Sequence, residues 1–246
     1  MSESVEVTQA SSPPQARKGF AARVMGVFLS PGETFEDIAR RPTILAPLLL
    51  LFVVQATVTY LVTPAQGQDA ALFTENSSLL QRLSEEQRAQ IIEDQRNPSS
   101  TTRMVTAVAA PVVILVFMLI FALLYWGVGN LLGGQPTFKK VLSMLLFASM
   151  IGLVAGSLIK LPLVLSKNTL AGVTFGPAMF MPDLAITSAR YRLFAIFDLF
   201  ALWGVVVTGI GFAKVAKIST AAAMTTSIIF FAIISALGYV IAGLFS

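Results

Sequence analysis

Apolar residues in this chain come in long runs separated by shorter polar stretches, and the runs predict helices that cross a membrane. Five are expected, at about residues 44–62, 104–128, 141–165, 193–213 and 221–245. The first, ILAPLLLLFVVQATVTYLV, has the length that a helix rising about 1.5 Å per residue needs to cross a hydrocarbon layer of roughly 30 Å. In the second, Pro111 is expected to kink the helix near its start, and Tyr125 and Trp126 to anchor its end at the interface. The predicted fold is all-α, a polytopic membrane bundle.

Ahead of the first run the pattern changes twice. Residues 1–18 read as a disordered tail, because MSESVEVTQASSPPQA is rich in Ser and Pro and lacks a hydrophobic period, and residues 19–246 form one membrane domain. Phe20, Val24, Val27 and Phe28 then fall on one face of a helix, beside Arg17, Lys18 and Arg23. Such a face suits an interfacial amphipathic helix or a short helix packed on the rest of the protein. Ser30-Pro31-Gly32-Glu33 has the form of a capping box with Pro in the first turn, so a second short helix is expected to run to about Arg40. Glu33, Glu36 and Asp37 at its start and Arg40 and Arg41 at its end suit the helix dipole.

The loop from 63 to 103 is polar and carries six acids against four Arg. Within it Ser84-Glu85-Glu86-Gln87 repeats the capping-box spacing, so LSEEQRAQIIEDQR is expected to be a solvated helix outside the membrane. Asn76-Ser77-Ser78 has the form of a glycosylation sequon, a pattern too common to carry an inference. Residues 166–190 include VTFGPAMFMP, apolar yet broken by Gly and Pro. That segment is expected at the interface or dipping into it, since it cannot span as regular helix.

Composition sharpens the picture. Hydrophobic residues make up 55% of the chain and charged residues only 12%, against about a quarter in soluble proteins. The absence of Cys and His removes disulfides, thiolate and imidazole metal ligands and the usual neutral-pH general base. The net charge of +4 does not indicate nucleic acid, because the basic residues flank apolar runs instead of forming a patch. Counted across five spans, Arg17, Lys18, Arg23, Arg40, Arg41, Lys139, Lys140, Lys214 and Lys217 fall on one side. Arg82, Arg88, Arg96, Arg103, Lys167, Arg190 and Arg192 fall on the other. Four of the latter sit in the long acidic loop, so the first side, with the N-terminus, is expected in the cytoplasm of an inner-membrane protein.

Two ionisable residues lie inside predicted spans, Lys160 and Asp198, at matching depths about 8 Å below one surface. They can pair, snorkel separately, or form a transport or proton site. Gln55, Thr57 and Thr59 are a further polar cluster, equally suited to helix packing. Ala148, Gly152 and Gly156 recur at steps of four, as do Gly204 and Thr208, the spacing that lets membrane helices approach closely within a chain or between copies. No phosphate loop, carboxylate cluster for a metal, or Ser with a base is present, and Leu131 to Gly134 reads as a turn. No cofactor, metal or catalytic residue is expected.

The order of SPGETFEDIARRP, a first span directly after it, a long polar loop, LLGGQPTFKKVL, and FDLFALWGVVVTGIGFAKVAKIS resembles the bacterial branch of the Yip domain (Ypt-interacting protein) family, over about residues 20–245. The resemblance implies a multi-spanning helical bundle with a cytoplasmic N-terminus and no established catalytic residues. Eukaryotic relatives bind prenylated Rab-type GTPases in vesicle trafficking. This chain departs from them in its short N-terminal tail. Three functions are compatible with these features. The first is a non-enzymatic scaffold or assembly factor for membrane components such as a transport complex, in contact with lipids and a membrane-protein partner. The others are a small transporter or channel using Lys160 and Asp198, and a lipid-binding or membrane-shaping protein using Phe20 to Phe28.

Overall fold

The computed structural model describes residues 18–75 and 82–244. The predicted tail and the Asn76-Ser77-Ser78 sequon lie outside the described residues, apart from Lys18 at the tail's end. Among the described residues ten α-helices follow one another: α1 (Phe20–Leu29), α2 (Pro31–Arg40), α3 (Leu45–Glu75), α4 (Glu85–Arg96), α5 (Ser100–Leu131), α6 (Phe138–Ala148), α7 (Ser157–Lys167), α8 (Ala189–Ala195), α9 (Leu199–Ala216) and α10 (Thr220–Leu244). A π-helical turn, Met150–Gly156, joins α6 to α7. Among the described residues five helical stretches are long and apolar enough to cross a membrane: α3, α5, α6 through α7, α9 and α10. The protein is a polytopic helical bundle.

The main core lies at one end of the bundle, where α1 and α2 close over the spans. Val27 of α1, Phe35 and Ile38 of α2, Met144 and Phe147 of α6, and Phe212 of α9 are fully buried together. Tyr125 belongs to this core. Its ring meets Phe212 and Phe230 edge-on, each at 4.8 Å, and its hydroxyl donates to Ser227 Oγ at 3.1 Å. It is therefore not the interfacial anchor that its place beside Trp126 predicts; α5 continues to Leu131, which carries Tyr125 inside the bundle.

The N-terminal pair of helices is locked by charge. Arg23 and Asp37 are both buried, with Nε 2.8 Å from Oδ2, and Arg23 also donates to Thr43 Oγ1 at 3.1 Å. Thr43 and Ser143 complete the chain: Ser143 Oγ accepts from Thr43 N at 3.1 Å and donates to Thr43 O at 2.8 Å. Buried charges need such partners. The expected capping box at Ser30 does not form. A single residue separates α1 from α2, so Ser30 N is spent on Gly26 O at 2.8 Å, and Glu33 turns to Lys18 at 3.4 Å.

At the opposite end the spans run past their predicted limits. Beyond the span expected to end at Val62, α3 continues through Pro64 to Glu75, because both sides of its polar extension find partners. Gly67 lets the Gln95 carbonyl of α4 approach its backbone, Gln68 donates to Arg96 O at 3.1 Å, Thr74 donates to Gln95 Oε1 at 2.9 Å, and Arg96 pairs with Glu75. The capping box at Ser84 and Gln87 does close, with both reciprocal bonds at 3.2 Å.

Candidate functional site

The fourth predicted span, 193–213, is broken. A short helix, α8, ends at Ala195, the chain bends, and α9 begins at Leu199 with Asp198 as its N-cap. Asp198 is therefore a helix-capping residue and not a charge within a continuous span. Asp is among the best N-cap residues because its carboxylate accepts from the first unpaired N–H groups of the helix.

Asp198 Oδ1 accepts from Phe200 N at 3.0 Å. Its Oδ2 accepts from Phe175 N at 2.8 Å and Thr174 Oγ1 at 3.2 Å, and lies 2.8 Å from Lys160 Nζ on α7. The helix start is bound to the preceding loop a second time, by Leu199 N donating to Phe175 O at 2.9 Å. Gly176 makes this possible, since a Cβ there would collide with the Phe197 carbonyl. The Lys160 ammonium also stands 5.7 Å from the centre of the Phe200 ring, within cation–π range. Four donors from four residues thus surround the carboxylate, three at Oδ2 and one at Oδ1.

A second carboxylate holds the same loop from the other side. Asp69, on the extension of α3, accepts from Thr169 Oγ1 at 2.6 Å, Leu170 N at 2.8 Å and Ala171 N at 2.7 Å. Tyr191 of α8 adds a bond from its hydroxyl to Ala171 O at 3.1 Å. Burial first, and then the charge of Asp69, raise the Tyr191 phenol above its ordinary value and keep it a donor. Asp69 and Asp198 thus fasten residues 169–175 to α3 and α9.

Asp69 escapes a search for charges inside apolar runs because it lies past the hydrophobic part of α3. The available signal was its helical phase: Gln55, Thr59, Val62 and Asp69 all lie buried along α3. Gln55 donates its amide to the Leu153 carbonyl inside the π-helical turn and to Ser157 Oγ at 3.3 Å. Thr59 O accepts from Thr63 Oγ1 at 2.6 Å.

The small residues divide by what they face. Gly156 allows Phe200 of α9 to approach, with 3.1 Å from the position of a Cβ to the ring. Gly152 and Gly204 have no atom within 4 Å of that position. With Ala148 and Thr208 they line an open cavity of about 350 Å³ between α5, α6 and α9. Within α9, close helix approach falls to Gly209, against Met224 of α10, and Gly211, against Met144 and Phe35. The Phe20, Val24, Val27 and Phe28 face of α1 packs on the bundle, with the Phe20 and Phe147 rings 6.0 Å apart and Val27 fully buried. Met25 and Leu29 are the large apolar side chains that α1 leaves exposed beside Phe20.

Five spans among the described residues and a polar site that braces a loop define a multi-pass α-helical membrane protein, whose outer helix faces contact lipid. The family model of the Yip1 domain matches residues 25–241, and the chain belongs to that family. It is 28% identical over 214 residues to "Membrane protein YknW" of Bacillus subtilis (strain 168), across 86% of each chain. No solved structure matches.

Proposed function

We propose that this protein is a non-enzymatic scaffold or assembly factor of the inner membrane, serving other membrane components such as a transport complex, with its N-terminus in the cytoplasm. The observation that carries this reading is the internal engagement of Asp198. Four donors of the same chain hold that carboxylate, three at Oδ2 and one at Oδ1, and two of them are backbone N–H groups of the α9 start and the preceding loop, so the group is built into the fold as a cap and brace. Gln55, Arg23 and Asp37 are likewise engaged internally. The polar groups serve shape.

The contact surface in this reading is the pair α1 and α2 at the cytoplasmic end. Arg23 with Asp37 joins the two helices, Lys214 with Glu36, 2.5 Å apart, ties α2 to α9, and the pair presents Met25 and Leu29 outward. The inward packing of Val27 and its neighbours weighs against a membrane-shaping role for that face of α1. Lys139, Lys140, Lys214 and Lys217 in short loops or helix ends support the orientation.

The chain has no Cys, so single cysteines can be introduced for cross-linking in intact membranes. Met25→Cys and Leu29→Cys are expected to capture one defined membrane protein, and Val27→Cys is not. A solitary chain at every exposed position overturns the scaffold reading. So does solute flux in reconstituted vesicles that Asp198→Asn abolishes.

A further inference from the structure

The cavity between α5, α6 and α9 goes beyond the scaffold reading. It is lined by Phe117 and Phe121 of α5, Ala148 and Gly152 around the π-helical turn, and Phe200 and Gly204 of α9. It exists because side chains are missing: a Cβ at Gly152 or Gly204 would meet nothing within 4 Å. Among its hydroxyl-bearing lining residues, Ser149 is turned away, donating to Leu146 O at 2.8 Å. A cavity this apolar does not hold water.

Its length and position select an occupant. On α9 the lining runs from Phe200, one residue after the helix begins, to Thr208. Eight residues at about 1.5 Å each descend roughly 12 Å, close to half of a hydrocarbon core of roughly 30 Å. The groove is one leaflet deep. A partner helix is about 10–12 Å across and would need a seat along the whole bilayer. Lys160 does not line the groove, but its ammonium stands 5.7 Å from the centre of the Phe200 ring that does, and its side chain is 22% exposed. One of the three donors of its ammonium is directed at Asp198, which leaves two for an acceptor outside the chain.

We propose that this groove seats one acyl chain of a phospholipid from the leaflet on the Lys160 side, with Lys160 donating to that lipid's phosphate. The acyl chain replaces the side chains that Gly152 and Gly204 lack. Asp198 holds the ammonium over Phe200, at the point where the chain enters. The lipid comes from the surrounding bilayer, through the open side of the groove.

The full-length protein in nanodiscs of phosphatidylcholine and phosphatidylglycerol, doped with a phospholipid bearing a mid-chain diazirine, tests this directly. Adducts are expected on α5 near Phe117 and Phe121 and on α9 near Ala201, above the level on the exposed face of α10 at Ile229 and Ile233. Gly152→Leu with Gly204→Leu fills the groove and is expected to lower the groove adducts about tenfold, leaving those on α10 unchanged. Equal labelling of groove and α10 face in the unsubstituted protein overturns the proposal, whatever the variants do. Undiminished adducts in the filled variant, or cross-links from the groove to a second protein chain, overturn it as well.

Discussion

Lys160 and Asp198 meet at 2.8 Å between α7 and the start of α9, but they contribute unequally to the site. Asp198 also accepts from two backbone N–H groups and from Thr174, whereas Lys160 is the one charged partner among its four donors. Losing an N-cap costs about 1 kcal/mol, and each buried N–H left unpaired costs about 1–3 kcal/mol. Asp198→Ala is therefore expected to destabilise by on the order of 3 kcal/mol. Lys160→Met, at a partly exposed pair, should cost on the order of 1 kcal/mol. Unfolding in detergent measures both. Equal losses would mean that the charge pair, and not the cap, dominates.

Asp69 makes a different prediction, because its partners are local to the loop. Leu170 N and Ala171 N donate to it, so Asp69→Ala is expected to raise their hydrogen exchange about tenfold, matching loss of ~1.4 kcal/mol. Exchange in the core of α9 should stay unchanged. Faster exchange throughout the bundle would show instead that Asp69 supports global stability.

The spans were legible in the sequence because the bilayer demands long apolar runs, whatever the details of packing. Their ends were less legible, since polar partners decide them. Residues 66–75 continue α3 only because α4 and the 169–171 loop supply bonds that hydropathy does not register. The Lys160 and Asp198 juxtaposition could be anticipated from depth alone. Asp198's capping role could not, because Phe175 is 23 residues away and reaches it through a loop without periodicity. Spacing also singled out Gly204 and Thr208, whereas the α9 glycines packed against neighbouring helices are Gly209 and Gly211. A repeat of four finds a stripe along a helix, but the direction in which that stripe points is set by tertiary packing.

The glycines of α9 turn this distinction into a measurement. Gly211 sits 2.8 Å, at the position of a Cβ, from Met144 Cγ and 3.1 Å from the Phe35 ring, while Gly204 faces open space. Gly211→Ala is expected to overpack the core and cost about 1–3 kcal/mol. Gly204→Ala is expected to be neutral or to stabilise by up to about 1 kcal/mol, the helix-propensity difference. Thermal melting of the two variants in the same detergent separates them. A lower midpoint for Gly204→Ala than for Gly211→Ala would contradict the packing described.

The last relationship is sensitive to pH. Glu36 of α2 accepts a hydrogen bond from Lys214 of α9, and that bond, then the lysine's charge, holds its carboxyl below the ordinary value of 4.5. A carboxyl depressed in the folded state favours folding above its unfolded pKa, and the contribution disappears as pH falls through the lower folded value. The Glu36 contribution is therefore complete at neutral pH and is lost only below about 4.5. Both side chains are more than a third exposed, so solvent and salt screen the pair and the effect is small. Glu36→Gln is expected to lower the melting midpoint slightly at pH 7, and by progressively less as the pH falls below about 4.5. The difference at pH 7 should shrink at high salt. Any difference that persists unchanged at pH 3 would show that Glu36 acts through packing of α2 and not through its charge.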